Sequence, residues 1–188
     1  MKTSMAKLFT VLLAAVLLSA CVTGGSVSDK RASVQRMRAD TLAKLYKIEP
    51  GSQRQIRQSL GYAVFSNVGV NLLFVSAGGG FGILRDNRTG RDIYMNMALA
   101  GVGLGLGIKD FRGVFVFTSK RMLDQFVNHG WDASAQADAA AKSAKKGDAW
   151  AGAVDVGSGI KLYQITENGL ALQATIQGTK YWKDGKLN

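Results

Sequence analysis

Chemistry in a protein needs nucleophiles, proton carriers or metal ligands at workable spacing, and this chain holds few of them. Among 188 residues there is one cysteine, Cys21, and one histidine, His129. A lone thiol forms no internal disulfide and no thiolate metal cluster. A single imidazole leaves little for acid–base or metal work. His129 follows a helical stretch and precedes Gly130, a place where the carboxyl end of a helix dipole favours a cation. A Ser–His–Asp set could be drawn with Asp132, but no nucleophile-elbow sequence accompanies it. The carboxylates are scattered, so no metal and no other cofactor is expected. The spacing G-x-G-x-x-G fails at Gly78-Gly80-Ile83 and at Gly103-Gly105-Ile108, and no GK[ST] is present, which argues against dinucleotide or phosphate loops. The chain does not read as an enzyme.

Cys21 has a more specific setting. Lys2 and Lys7 precede an apolar or small run, Leu8–Leu18, which is too short to span a bilayer of about 30 Å as a helix. A basic start, a short apolar core and small residues after it make a secretory signal. Leu18-Ser19-Ala20-Cys21 resembles a bacterial lipobox, which implies cleavage before Cys21 and acyl chains on it. Two or more chains anchor a protein stably, at about 0.8 kcal/mol per buried CH₂. Val22 follows, and the absence of Asp there implies the outer membrane, inner leaflet, facing the periplasm. Residues 1–20 are thus expected to be a signal, 21–29 the acylated cysteine with a flexible tether, and 30–188 one domain.

Behind the tether lies a concentration of charge. The chain has a net charge of +11. Residues 30–57 hold Lys30, Arg31, Arg36, Arg38, Lys44, Lys47, Arg54 and Arg57 against Asp40 and Glu49 alone. Val34, Met37, Thr41, Leu45 and Ile48 recur at three and four, widened by Leu42 and Tyr46, which predicts an amphipathic helix over Ser33–Ile48 capped by Ser33. Pro50-Gly51 ends it, and a second short helix is expected over Ser52–Leu60. Two uses of this segment are compatible. The apolar stripe packs on the core, and the bases face anionic headgroups, each contributing about 1 kcal/mol near such a surface.

The elements that must position these residues read mainly as strands. Tyr62–Asn67, Leu72–Leu84 and Ile93–Ile108 are expected as strands, with Arg85–Arg91 as a hairpin turn. Gly78, Gly80 and Gly82 alternate in one strand, and Gly101, Gly103, Gly105 and Gly107 alternate in another. Strict period two favours strand over helix and puts each set on one face. Glycine weakens a strand, so such sets mark close approach by another group. That group is either a part of the same protein or a lipid chain or partner. Val114–Thr118 reads as a buried strand and Ser119–Asn128 as a helix with Met122, Leu123, Phe126 and Val127 on one face. Trp131–Lys142 alternates like a strand despite its alanines. Ile160–Thr166 and Leu170–Gly178 flank Asn168-Gly169, a strong hairpin signal. Tyr181 and Trp182 are expected to close the core. The fold class is α+β, a predominantly antiparallel sheet of sandwich or barrel type with an N-terminal amphipathic helix and a few short helices.

Gly61-Tyr62-Ala63-Val64-Phe65-Ser66-Asn67-Val68, the glycine-rich hairpin, the run VFVFTSKRMLDQF at 114–126 and the run NGLALQATIQGTKYW at 168–182 resemble the SYLF domain, also called the Ysc84 or Las17-binding actin-regulator family. The resemblance spans about residues 35–182. It implies lipid binding, phosphoinositides in eukaryotic members, through a basic amphipathic helix at the start of the domain. Ser66 stands where many members have Pro, and an actin role is set aside. The expectation is a non-catalytic, lipid-anchored module that binds anionic phospholipid membranes through Lys30–Arg57, with no nucleic-acid partner. The rival expectations are an envelope protein contacting peptidoglycan or an outer-membrane protein, and an acyl-chain carrier using the glycine face.

Overall fold

A computed structural model describes residues 26–72, 75–102, 110–132, 152–157, 159–166, 169–171 and 179–188. The described elements are helices α1 (Val27–Ile48), α2 (Gly51–Gln58) and α3 (Lys120–His129). The strands are β1 (Gly61–Leu72), β2 (Val75–Asp86), β3 (Arg91–Val102), β4 (Asp110–Phe117), β5 (Trp131–Asp132), β6 (Val154–Gly157), β7 (Ile160–Thr166), β8 (Gly169–Ala171) and β9 (Thr179–Lys183). All nine strands join one sheet in the order β5-β9-β3-β2-β1-β4-β7-β6, with β8 also on β7. Every pairing is antiparallel. The expected α+β class with a mostly antiparallel sheet therefore holds.

The sheet is strongly curled. Four strand spacings separate β9 from β4, which in a flat sheet is about 19 Å. Yet the rings of Tyr181 on β9 and Phe115 on β4 have centroids 5.2 Å apart. Only a sheet folded over on itself brings them together. Its concave side holds Ala63, Phe65, Leu84, Met95, Met97, Phe115, Phe117, Leu162 and Tyr181, and α3 plugs it with Met122, Leu123 and Phe126. Gly130 ends α3 at φ +74°, and its missing Cβ matters because that atom would lie 2.3 Å from the Tyr181 carbonyl oxygen. The aromatic rings meet mostly edge to face or tilted, the arrangement their quadrupoles favour.

The convex side carries a second core of Leu45, Ile56, Val64, Val114, Val116, Tyr163 and Ile165, roofed by α1 and α2. This explains the unbroken Val114-Phe115-Val116-Phe117, since a strand covered on both faces has no polar side to alternate. Tyr163 donates a hydrogen bond to Gln55 Oε1, joining β7 to α2. Burial first, and nearby Glu49 second, push its phenol up to about 12.

Several boundaries differ from expectation. α1 starts at Val27, six residues before the expected Ser33, because Ser26 and Asp29 form a capping box. Residues 27–29 therefore belong to the helix and not to the tether. β1 runs on to Leu72, so Leu72 ends that strand and does not open the next. β6 was not expected as a strand. Trp182 does not close the core: it is 43% exposed, whereas Tyr181 is 2% exposed. Cys21, Gly103, Gly105, Gly107 and the part of the expected strand Trp131–Lys142 after Asp132 lie outside the described residues. No described helix is long and apolar enough to cross a membrane.

Candidate functional site

The amphipathic stripe of α1 sets where its bases point. Val34, Thr41 and Leu45 are buried, and Met37, Leu42 and Tyr46 pack beside them. Ile48, the last stripe position, is 38% exposed. With that face fixed on the convex side of the sheet, the 100° turn per residue fixes the rest.

The eight bases fall into two groups. Arg31 and Arg38 fasten the helix to the sheet. Arg31 Nε donates to the Leu187 carbonyl oxygen at 2.8 Å, and its guanidinium lies 5.6 Å from the Tyr94 ring centroid. Arg38 Nη1 donates to Asp92 Oδ1 at 2.8 Å, and Arg38 also bonds Gln35. Gln35 Nε2 donates to Asp92 Oδ2 and to the Tyr94 hydroxyl, each at 3.1 Å, and Arg85 reaches Asp92 Oδ1 at 3.1 Å. Burial pushes the Asp92 carboxyl up, but the hydrogen bonds from Gln35, Arg38 and Arg85 together outweigh it and hold the group below its ordinary range.

Lys30, Arg36, Lys44, Lys47, Arg54 and Arg57 are exposed. Arg36 and Lys47 fall within about 20° of each other around α1, on the side away from Leu45, with Lys44 on the flank. Asp40, one turn from both Arg36 and Lys44, is the acid among them and is also exposed. The arrangement is a helix pinned by its stripe and two arginines, presenting a line of cations outward. A surface of this kind attracts multivalent anionic matter by charge.

The glycine face takes a different form. Leu84 belongs to the concave core, so Gly82, Gly80 and Gly78 point the same way by alternation. A Cβ on Gly82 would lie 2.2 Å from Phe65 Cδ1 and 2.5 Å from the Val64 carbonyl oxygen. What approaches Gly82 is a ring of the neighbouring strand, itself 4.6 Å from Tyr181 by ring centroid. Gly101 lies in β3 opposite Ser76 of β2.

Sequence reasoning missed Asp92 and Tyr94 as partners of the helix, and Gln35 as the helix side chain that reaches both. The signal available was weak, because their positions are separated from their partners by 54 to 59 residues. Elsewhere, Arg88 bridges Asp86 and Asp124, and Lys120 also bonds Asp124. This ties the β2–β3 turn to α3, and the Arg88 bonds hold the Asp86 carboxyl down at about 2. Among the described residues no group of three or more His, Cys, Asp or Glu could hold a metal ion.

No family model matches this chain. A beta cell expansion factor A from Aeromonas veronii is 32% identical to it over 164 residues, which are 86% of this chain and 60% of that protein. The chain thus spans less than two thirds of the length of this relative.

Proposed function

We propose that this chain is a lipid-anchored, SYLF-type module of a bacterial envelope that binds anionic lipid surfaces without catalysis. The observation that carries the reading is the outward line of Arg36, Lys44 and Lys47 on a helix whose opposite face is committed to the core. Like charges held on one helix face repel, and a negative surface relieves that repulsion. Cys21, if acylated, keeps the module at that surface whatever its own affinity.

On this reading the contact is made by the outward bases alone. Arg31 and Arg38 hold α1 in place, so reversing them would damage the fold. The informative variant is R36E/K44E/K47E in residues 22–188, a stretch that includes all the described elements. At about 1 kcal/mol per base, loss of the three weakens binding to anionic vesicles by about 100-fold or more. Co-sedimentation across a salt series reads this directly, since the attraction is screened within about 10 Å at 0.1 M salt. Unchanged binding by the variant, or equal binding to neutral vesicles, would refute it. Purified peptidoglycan sacculi in the same assay test the cell-wall alternative.

The name of the Aeromonas relative favours a second reading, in which the chain acts on other cells. Recovery in cell-free medium, with none in the membrane fraction, would support that reading over permanent anchoring.

A further inference from the structure

Among the described residues, the exposed large apolar side chains are Val27, Ile48, Phe81 and Trp182. Three of these four gather at one end of the convex face. Phe81 pairs with Asn96, and Asn96 pairs with Trp182. The three stand in one row on one face, with the two rings on strands about 10 Å apart. The adjacent row is Gly79, Ala98 and Lys180. A Cβ on Gly79 would meet nothing within 4 Å, so small neighbours leave both rings proud of the sheet.

The start of α1 comes down beside this row. Arg31 rests on Tyr94, two residues before Asn96 on the same strand face, a separation of about 7 Å. Val27 is one turn before Arg31 and lies on the same side of the helix. Lys30, Lys180 and Lys186 are exposed at this edge. Three acids, Asp29, Asp132 and Asp184, lie near the same edge. Asp29 caps Ser26, Asp132 pairs with Lys180, and Asp184 accepts from the backbone N–H of Lys186 and Leu187. Cys21 is six residues before Val27, which is at most about 21 Å of extended chain.

We propose that Trp182 and Phe81, rimmed by these lysines, enter the headgroup layer of an anionic bilayer and fix how the domain sits on it. Aromatic rings with lysines beside them are suited to that layer, where one side is apolar and the other wet. Short linkage to an acylated cysteine then keeps the patch within reach of the surface. The inference rests on the lipid-anchor reading above. It assigns the contact to the sheet end beside the anchor, with the outward bases of α1 as a second, purely electrostatic contact.

The test uses the acylated full chain and its W182F variant, reconstituted in phosphatidylcholine–phosphatidylglycerol vesicles whose acyl chains carry bromine near the headgroup. Trp131 and Trp150 are common to both proteins, so the difference between them isolates Trp182. The expected result is loss of most of the Trp182 emission to bromine, with protection of that emission from aqueous acrylamide once vesicles are present. Equal fractional quenching of wild type and W182F overturns the inference while leaving the anchor intact. Protection of Trp182 before vesicles are added also overturns it, because another copy then covers the patch. A chain without acyl mass on Cys21, or one that does not float with vesicles, overturns the anchor reading and this inference together.

Discussion

Gly82 and Gly79 stand three residues apart on β2 and face opposite sides of the sheet, so the same substitution at each has opposite consequences. At Gly82 an alanine methyl would lie 2.2 Å from Phe65 Cδ1, 2.6 Å from Phe65 Cε1 and 2.5 Å from the Val64 carbonyl oxygen. The ring cannot retreat easily, because Phe115, Phe126 and Tyr181 surround it at centroid distances of 5.8, 6.2 and 4.6 Å. The carbonyl belongs to the β1 backbone. Overpacking of this kind costs about 1–3 kcal/mol, and a backbone contact places G82A at the upper end. Removing glycine's entropy cost returns about 0.5–1 kcal/mol. The expected net loss is about 2 kcal/mol, a fall in Tm of about 4–8 °C for a chain of this size. At Gly79 the methyl meets nothing within 4 Å, so G79A gains up to about 1 kcal/mol. Urea denaturation of both variants measures the pair. In an F65A background two of the three close contacts at Gly82 vanish, and the cost of G82A falls by about 1 kcal/mol or more. A G82A protein as stable as wild type, or strict additivity with F65A, would refute internal packing as the reason for this glycine. It would return the concave face to the ligand-binding alternative.

Other outcomes follow from the same geometry. L45A, at a position with no exposed surface beneath α1, loses about 2–5 kcal/mol, read by thermal denaturation. D92N leaves Arg38 and Arg85 without their carboxylate and costs about 1–3 kcal/mol; amide exchange should rise along α1 before it rises in β4. Asp86 is held down to about 2, so its contribution is present above its ordinary 3.8 and is lost as pH falls towards about 2. D86N should flatten the acid limb of the stability profile over that window. Tyr163 is pushed up to about 12, so the neutral phenol it contributes is secure below pH 10 and lost as pH rises through about 12. Y163F should reduce the alkaline slope there.

Residues whose fate depends on local periodicity were legible in the sequence. The stripe Val34, Met37, Thr41 and Leu45 is inward, β7 occupies Ile160–Thr166, and Gly169 of the expected hairpin opens β8, which pairs with β7. The helix start was misread because Gly24-Gly25-Ser26 looks like tether, although Ser26-x-x-Asp29 is itself a capping pattern. β1 was read short because Asn67, Gly69 and Asn71 are turn formers; pairing with Gly80, Gly78 and Ser76 keeps them in the strand. Trp182 was assigned by residue type, when its alternation with buried Tyr181 and Thr179 already pointed it outward. The division of the bases was not legible. Arg31 reaches Leu187 and Arg38 reaches Asp92, and nothing in a local window distinguishes them from Arg36 or Lys47.

The strand order also dictates a timetable. β9 is made last among the strands but sits between β3 and β5, and its Tyr181 touches Phe65, Phe115, Phe126 and Trp131. Until residue 181 has been synthesised, those four rings lack the Tyr181 contact and the curled sheet lacks the strand that joins β3 to β5. Pairings this distant in sequence are slow to form because loop closure precedes any reward. The pairing of β3 with β9 and the full ring cluster are therefore completed only once the last described strand has been made.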